Sequence, residues 1–353
     1  MPLFGHILLA LGATATIWML SGSLIDATDR VAKRYHKPGF AVAFFVLGIL
    51  TSVSEMSVAV NASLEHVPQV SAGNLLGAST VIFLLIIPLL AALGNGIPMD
   101  RSLRPSNTIL LLFTVLVPSF FALDGMITVT EGVLMIALYG VLVWRIRKYN
   151  PIEGVAQDAL ERTQRELVGG KHATAADTVK IAVSAVLIFI SGNILVGESV
   201  FFAQVFSVPV SFIGLMMLSI GTNIPELVIA IRCVIGKHKD IAFGDYMGSA
   251  VFNTPILGFL AIVNGNFALE KSEALVNAVI LGVGLLLFYV FARSKNMLSR
   301  GESIVLLVLY AAFLFLQFGN AVRISNQSIP DDTLLKQAAP VHLSLRDAPH
   351  RTP

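Results

Sequence analysis

The amino-acid sequence predicts an all-α integral membrane protein of about ten transmembrane helices, arranged as two inverted five-helix repeats. Three observations lead there. The 353 residues are 55% hydrophobic and 13% charged, with a mean hydropathy of +0.79, whereas ordinary soluble domains carry about a quarter charged residues. Apolar runs of about 20 residues, each long enough to cross a bilayer as a helix, recur along the chain with no strand-like alternation. The sequence also matches itself when its second half is slid onto its first, at the offset that sets Glu55 on Glu226 and Thr51 on Thr222.

Taken in order, the apolar windows of the first half are 3–24, 39–63, 70–93, 106–123 and 126–145. Those of the second half are 179–200, 208–232, 241–263, 271–292 and 302–319. The opening stretch, MPLFGHILLALGATATIWML, lacks the basic leading region of a cleaved signal peptide and reads as a retained span. The second and seventh windows each hold an acid far from either end, and the third and eighth open on paired glycines one helical turn apart. The remaining windows are plain apolar helices. Residues 1–147 form the first repeat, 148–177 a polar linker too short for a domain of its own, and 178–320 the second repeat. The tail 321–353, with Pro330, Pro340 and Pro349, is expected to be disordered.

Lys and Arg orient the chain. Loops after odd-numbered spans and the linker hold 19 of the 24 basic residues, from Arg30 and Lys33 to Lys295 and Arg300. Loops after even-numbered spans hold only Lys271. The expectation is a multi-pass protein of the cell (inner) membrane, with both termini outside. The single cysteine, Cys233, excludes an intramolecular disulfide framework and a multi-cysteine metal site. The seven histidines are scattered without metal-ligand spacing. No cofactor and no nucleic-acid partner are expected, and the lipid bilayer is a partner of the chain.

The repeat carries the functional reading. From residue 21 to residue 77 the two copies align without a gap, and Ala59 meets Ala230, Gly73 meets Gly244 and Gly77 meets Gly248. An offset that contains five spans turns the second copy over in the membrane. Secondary transporters are commonly built this way, with the site near the midplane where the repeats meet. Glu55 and Glu226 then approach that midplane from opposite sides.

A carboxylate at such depth costs about 3 kcal/mol or more unless it faces a partner, water or a cation. Thr222 lies one turn before Glu226. Pro225 has no N–H, so the carbonyl of Gly221 loses its helical partner. Free carbonyls, the Thr222 hydroxyl, the Asn223 amide and the Glu226 carboxylate make an all-oxygen cluster, the ligand set preferred by hard cations such as Ca²⁺. The first copy offers Thr51, Ser52 and Glu55 in the same order, with Ser54 in place of the proline. Its helix keeps the N–H there and is expected to bend less, although Ser54 can bond back to a backbone carbonyl. In the eighth span Asp245, Ser249 and Asn253 form a polar stripe, matched in the third by Asn74, Ala78 and Ile82. Ser79 and Thr80 fall on other faces of that helix.

The ordinary explanations cover much of this list. Glycine pairs in membrane helices mostly serve packing, Asn74 and Asn253 can bond between helices, and Asp245 lies near a hydrated end. Glu131, Glu198, Asp26 and Asp124 fall near span ends and read as interfacial. Two midspan acids at matching repeat positions have no comparable structural explanation.

At this point the residues resemble the calcium/cation antiporter superfamily, in its sodium/calcium exchanger-like branch. Its repeats carry Gly-Thr-Ser-x-Pro-Glu on one span and Gly-Asn-x-x-Gly-Ser-Asn-x-x-Asn on the next. GTNIPE with GDYMGSAVFN is close to that pattern, and LTSVSE with GNLLGASTVI is looser. The resemblance implies that Glu55 and Glu226 bind Ca²⁺ with Thr51 and Thr222, and that Ser249 and Asn253 stand at ion-binding positions. Ser52 matches a family position, Asn223 replaces a serine, and Asp245 replaces an asparagine. Ala78 and Ile82 offer no ligand oxygen, so Na⁺ coupling or its stoichiometry is open and protons are an alternative. The implied function is antiport of Ca²⁺ for Na⁺ or H⁺ by alternating access, without enzymatic activity. A passive cation channel and a non-transporting homologue remain as alternatives.

Overall fold

The computed structural model describes residues 3–34, 44, 48–94, 96–98, 105–149, 175–224, 226–227, 239–294 and 297–327. Most of the linker and the tail beyond residue 327 lie outside these, as do Cys233 and Pro225. Among the described residues, eight helices are long and apolar enough to cross a membrane. They begin with Leu3–Arg34, followed by a third span built from Pro68–Val81, a π-helical stretch Ile82–Ile86 and Ile87–Leu93. Then come Pro105–Phe121, Val129–Tyr149 and Ala175–Phe206, and in the second repeat Lys239–Asn264, Lys271–Ser294 and Arg300–Gln327. Several run past the apolar windows, because backbone hydrogen bonding continues into polar flanks that the hydropathy pattern cuts off. The tenth runs past the expected end of the second repeat at residue 320. Its helix reaches Gln327, and Ala321 packs in a cluster with Phe202 and Phe212.

The other two spans are interrupted. The second consists of Gly48–Thr51 and Val53–Leu64, separated at Ser52. The seventh runs through Val210–Ile213, a π-helical stretch Gly214–Leu218 and Ser219–Thr222, and is interrupted at Asn223. Ser52 and Asn223 follow Thr51 and Thr222 in the two copies, so both breaks fall on one repeat position. The second span is thus broken at this position without a proline. Ser54 Oγ donates to the Thr51 carbonyl at 3.1 Å, and this local side-chain bond competes with the helix in the proline's stead.

Further equivalences follow the same offset. Thr128 caps the fifth span through Glu131 Oε2, with its N–H at 2.8 Å and its hydroxyl at 2.9 Å. Ser299 and Glu302, at the equivalent positions of the second repeat, form the same cap at 2.8 and 2.7 Å. Four two-residue strands lie in the interhelical turns: β1 (Ile97–Pro98), β2 (Met126–Ile127), β3 (Phe267–Ala268) and β4 (Met297–Leu298). β1 pairs with β4 and β2 with β3, both antiparallel, and exchanging the two repeats converts one pair into the other.

The third and eighth spans form the interior, and glycines allow their neighbours to approach. Gly77 sits against the Leu215 carbonyl and Gly248 against the Phe44 carbonyl. Phe44 and Leu215 are themselves equivalent in the repeat, so these two contacts are one contact made twice. Outward-facing side chains of the first, fifth and tenth spans, among them Phe4, Leu134, Trp144 and Phe315, are apolar and exposed. Such continuous apolar surface is what a bilayer, rather than water, would cover.

Candidate cation site

The two breaks place Glu55 and Glu226 in the interior, each with 0% of its surface exposed. Thr51, Ser52, Thr222, Asn223, Asn74, Ser249 and Asn253 are buried as well. Around Glu55, Ser54 Oγ donates to Oε2 at 2.8 Å and also lies 3.1 Å from the Thr51 carbonyl and 3.4 Å from the Thr222 carbonyl. One hydroxyl proton cannot serve three acceptors at once. Glu55 Oε1 has no hydrogen-bond partner among the described residues.

Glu226 is reached from the eighth span. Ser249 Oγ lies 3.5 Å from Oε1, and Tyr246 donates its hydroxyl to the Glu226 carbonyl at 3.0 Å. Ser249 Oγ is also 3.2 Å from Ser52 Oγ, so a chain of oxygens runs from the first repeat to the second acid. The reciprocal link is the Thr222 hydroxyl, which donates to Asn74 Oδ1 at 3.1 Å. Asn223 turns its Nδ2 to the Ser219 carbonyl at 2.7 Å, leaving Oδ1 without a partner among the described residues. The structure thus gathers Thr51, Ser52, Glu55, Asn74, Thr222, Asn223, Glu226 and Ser249 into one buried polar region.

The remaining candidates are placed differently. Gly221 is half-buried and faces Thr14 of the first span. Asn253 lies 3.5 Å from Ser79 Oγ, and its Oδ1 has no partner among the described residues. The side chain of Asp245 lies outside the described residues. Glu131 caps a helix, Asp124 accepts the Met126 N–H at 2.8 Å, and Glu198 pairs with His6 at 2.8 Å, so these three have structural partners. Among the described residues no three His, Cys, Asp or Glu side chains cluster. The centre is two carboxylates among neutral oxygens, a hard donor set suited to Ca²⁺ or Na⁺ rather than to softer metals.

The sequence reading names Ser54 and Ser79 but sets neither among the site residues. Ser54 immediately precedes Glu55 at the start of the helix that follows the break, and its hydroxyl turns to the acid. Ser79 is one position beyond the stripe of Asn74 and Ala78, and close packing of the third and eighth spans brings it to Asn253. The equivalence of Ser54 with Pro225 was the available signal, because a polar residue replaces one with no donor.

Comparison with known proteins gives a consistent picture. The family model described as sodium/calcium exchanger protein matches residues 5–147 and 177–319. The sodium/calcium exchanger MaX1 of Methanosarcina acetivorans is 23% identical over 340 residues, covering 86% of this chain and 96% of that protein. The vacuolar cation/proton exchanger 2 of Oryza sativa is 28% identical over 128 residues, 35% of this chain and 29% of that protein. A solved structure of the sodium-calcium exchanger NCX_Mj superposes with a TM-score of 0.62 at 20% identity, covering 89% of this chain and 98% of that one. At that identity the match speaks for the fold.

Proposed function

The chain belongs to the sodium/calcium exchanger protein family, and from that premise we propose that it is a secondary antiporter exchanging Ca²⁺ for Na⁺ or H⁺ around Glu55 and Glu226. One observation carries the reading. Two fully buried carboxylates, from equivalent positions of inverted repeats, share a region whose other polar groups are hydroxyls, amides and carbonyls. Two negative charges balance one divalent cation, and the neutral oxygens replace its hydration shell.

The same geometry accounts for exchange. Each acid sits beside a break in its helix, so each half of the site can adjust its backbone with little loss of hydrogen bonding. Cation binding pulls the two acids together, and the competing ion must discharge or replace them before the carrier returns. By the distribution of basic residues, the turns at 65–67, 207–209 and 265–270 face outside.

Protons are the second reading for the coupling ion, favoured by Ala78 and Ile82. These positions match Ser249 and Asn253 in the other repeat but offer no oxygen. The similarity to a plant cation/proton exchanger over a third of the chain fits that reading.

Purified protein in proteoliposomes decides between them. Ca²⁺ uptake is measured under an imposed Na⁺ gradient and, separately, under an imposed pH gradient. Acceleration by one gradient alone identifies the coupling ion, and uptake indifferent to both would refute antiport.

Ser54→Ala gives a narrower test. It removes a hydroxyl that bonds Glu55 and faces two carbonyls. A hydrogen bond to a charged group contributes about 1.5–3 kcal/mol, so half-saturating Ca²⁺ is expected to rise by at least about tenfold, in initial-rate measurements across Ca²⁺ concentration. An unchanged value would remove Ser54 from the site.

A further inference from the structure

Another buried carboxylate lies away from the central pair. Glu273, in the first turn of the ninth span, is 2% exposed. Ser211, at the start of the seventh span, donates its hydroxyl to Glu273 Oε2 at 2.7 Å. Gln317 of the tenth span, 0% exposed, gives its Nε2 to the Glu273 carbonyl at 2.9 Å. Asn320, one turn on, donates to the neighbouring Ser272 carbonyl at 3.3 Å. Three spans therefore converge on one acid.

What they leave unmatched is specific. Glu273 Oε1 and Gln317 Oε1 are both buried without a hydrogen-bond partner among the described residues. Reversing the Gln317 amide does not help, because it would set an oxygen against the Glu273 carbonyl. With Glu273 ionised, both orphans are acceptors, and buried acceptors require a positive or protic partner. The N-terminus of the ninth helix offsets about half a unit of charge, yet Oε1 remains without a donor among the described residues. Lys271, just before it on the same turn, is exposed, so the cluster lies within one turn of the surface.

We propose that Glu273, Gln317 and Ser211 form a second cation site that takes a single monovalent ion, Na⁺, independently of the Glu55–Glu226 centre. One carboxylate neutralises one positive charge; a divalent ion there would keep a net charge in a low-dielectric interior. Carboxylate, amide and hydroxyl oxygens are hard ligands suited to Na⁺. Ser211 precedes Glu226 on the seventh span by about four helical turns, or about 20 Å at helical rise. An ion at Glu273 thus does not share ligands with the centre. It holds the start of the seventh span, the element carrying Glu226, against the ninth and tenth.

The test uses the full chain with the central acids neutralised, Glu55→Gln plus Glu226→Gln, and follows Na⁺ by sodium NMR line broadening against choline controls. Saturable Na⁺ binding is expected to persist in this background and to weaken at least tenfold when Glu273→Gln is added. Ser211→Ala is expected to weaken it several-fold without removing a charge, and serves where Glu273→Gln fails to yield folded protein. No saturable Na⁺ binding in the background, or binding indifferent to both added substitutions, overturns the proposal. The antiport reading is judged separately, by Ca²⁺ transport in the same background.

Discussion

Glu55→Gln and Glu226→Gln, made singly, are each expected to lower Ca²⁺ exchange at least 100-fold. Each substitution keeps the side-chain volume and removes one negative charge from a fully buried position. A divalent cation would then face one carboxylate instead of two, with a unit of positive charge uncompensated. Breaking a buried charge pair by removing one partner costs about 3–5 kcal/mol, or two to three orders of magnitude in affinity. The measurement is initial-rate uptake of radiolabelled Ca²⁺ into proteoliposomes, at Ca²⁺ concentrations spanning the wild-type half-saturation point. The two losses should be similar, because the acids occupy equivalent places in the two repeats. A variant that keeps more than half the wild-type rate at all Ca²⁺ concentrations would show that its carboxylate does not hold the ion. A substituted protein that binds Ca²⁺ normally yet fails to exchange it would move the role of that acid from binding to coupling.

Much of this centre is legible from sequence because both acids are anomalies of one kind. A glutamate amid apolar residues stands out, and its recurrence at the matching position of the second repeat fixes the partner without any contact information. The capping pairs Thr128–Glu131 and Ser299–Glu302 are equally visible at that offset, since they depend on short sequence spacing alone. What stays hidden depends on departures from helical regularity. Ser54 lies beside Glu55 in the first turn of the helix that follows the stop at Ser52, and nothing in the local residue pattern of the second span announces that stop. Glu273 is hidden for a different reason. At the edge of an apolar window it resembles any interfacial acid, and its burial comes from Ser211 and Gln317, 62 and 44 residues away along the chain. Long-range partners of a single residue carry no periodic signal.

The second large effect is expected on assembly of the fold, from Gly77→Val and Gly248→Val. A Cβ at Gly77 would collide with the Leu215 carbonyl and with Ser219, and one at Gly248 with the backbone of Phe44. In both cases the obstacle is main chain of a span that itself carries half of the cation site, so a rotamer change cannot relieve it. The third and seventh spans, or the second and eighth, would have to separate. Overpacking of this kind costs about 1–3 kcal/mol and occasionally more, a large part of a total stability of about 5–15 kcal/mol. In detergent, the melting temperature should fall by about 5–10 °C, with loss of the monodisperse fraction on gel filtration. Gly140→Val and Gly319→Val are the matched controls, because a Cβ at either meets no atom within 4 Å. Their effect should be close to nil. Equal damage at all four positions would point to a general intolerance of valine in these helices. Damage confined to Gly77 and Gly248 would tie stability to the contact that the inverted repeat makes twice, the contact that seats each broken span against an interior span of the other repeat.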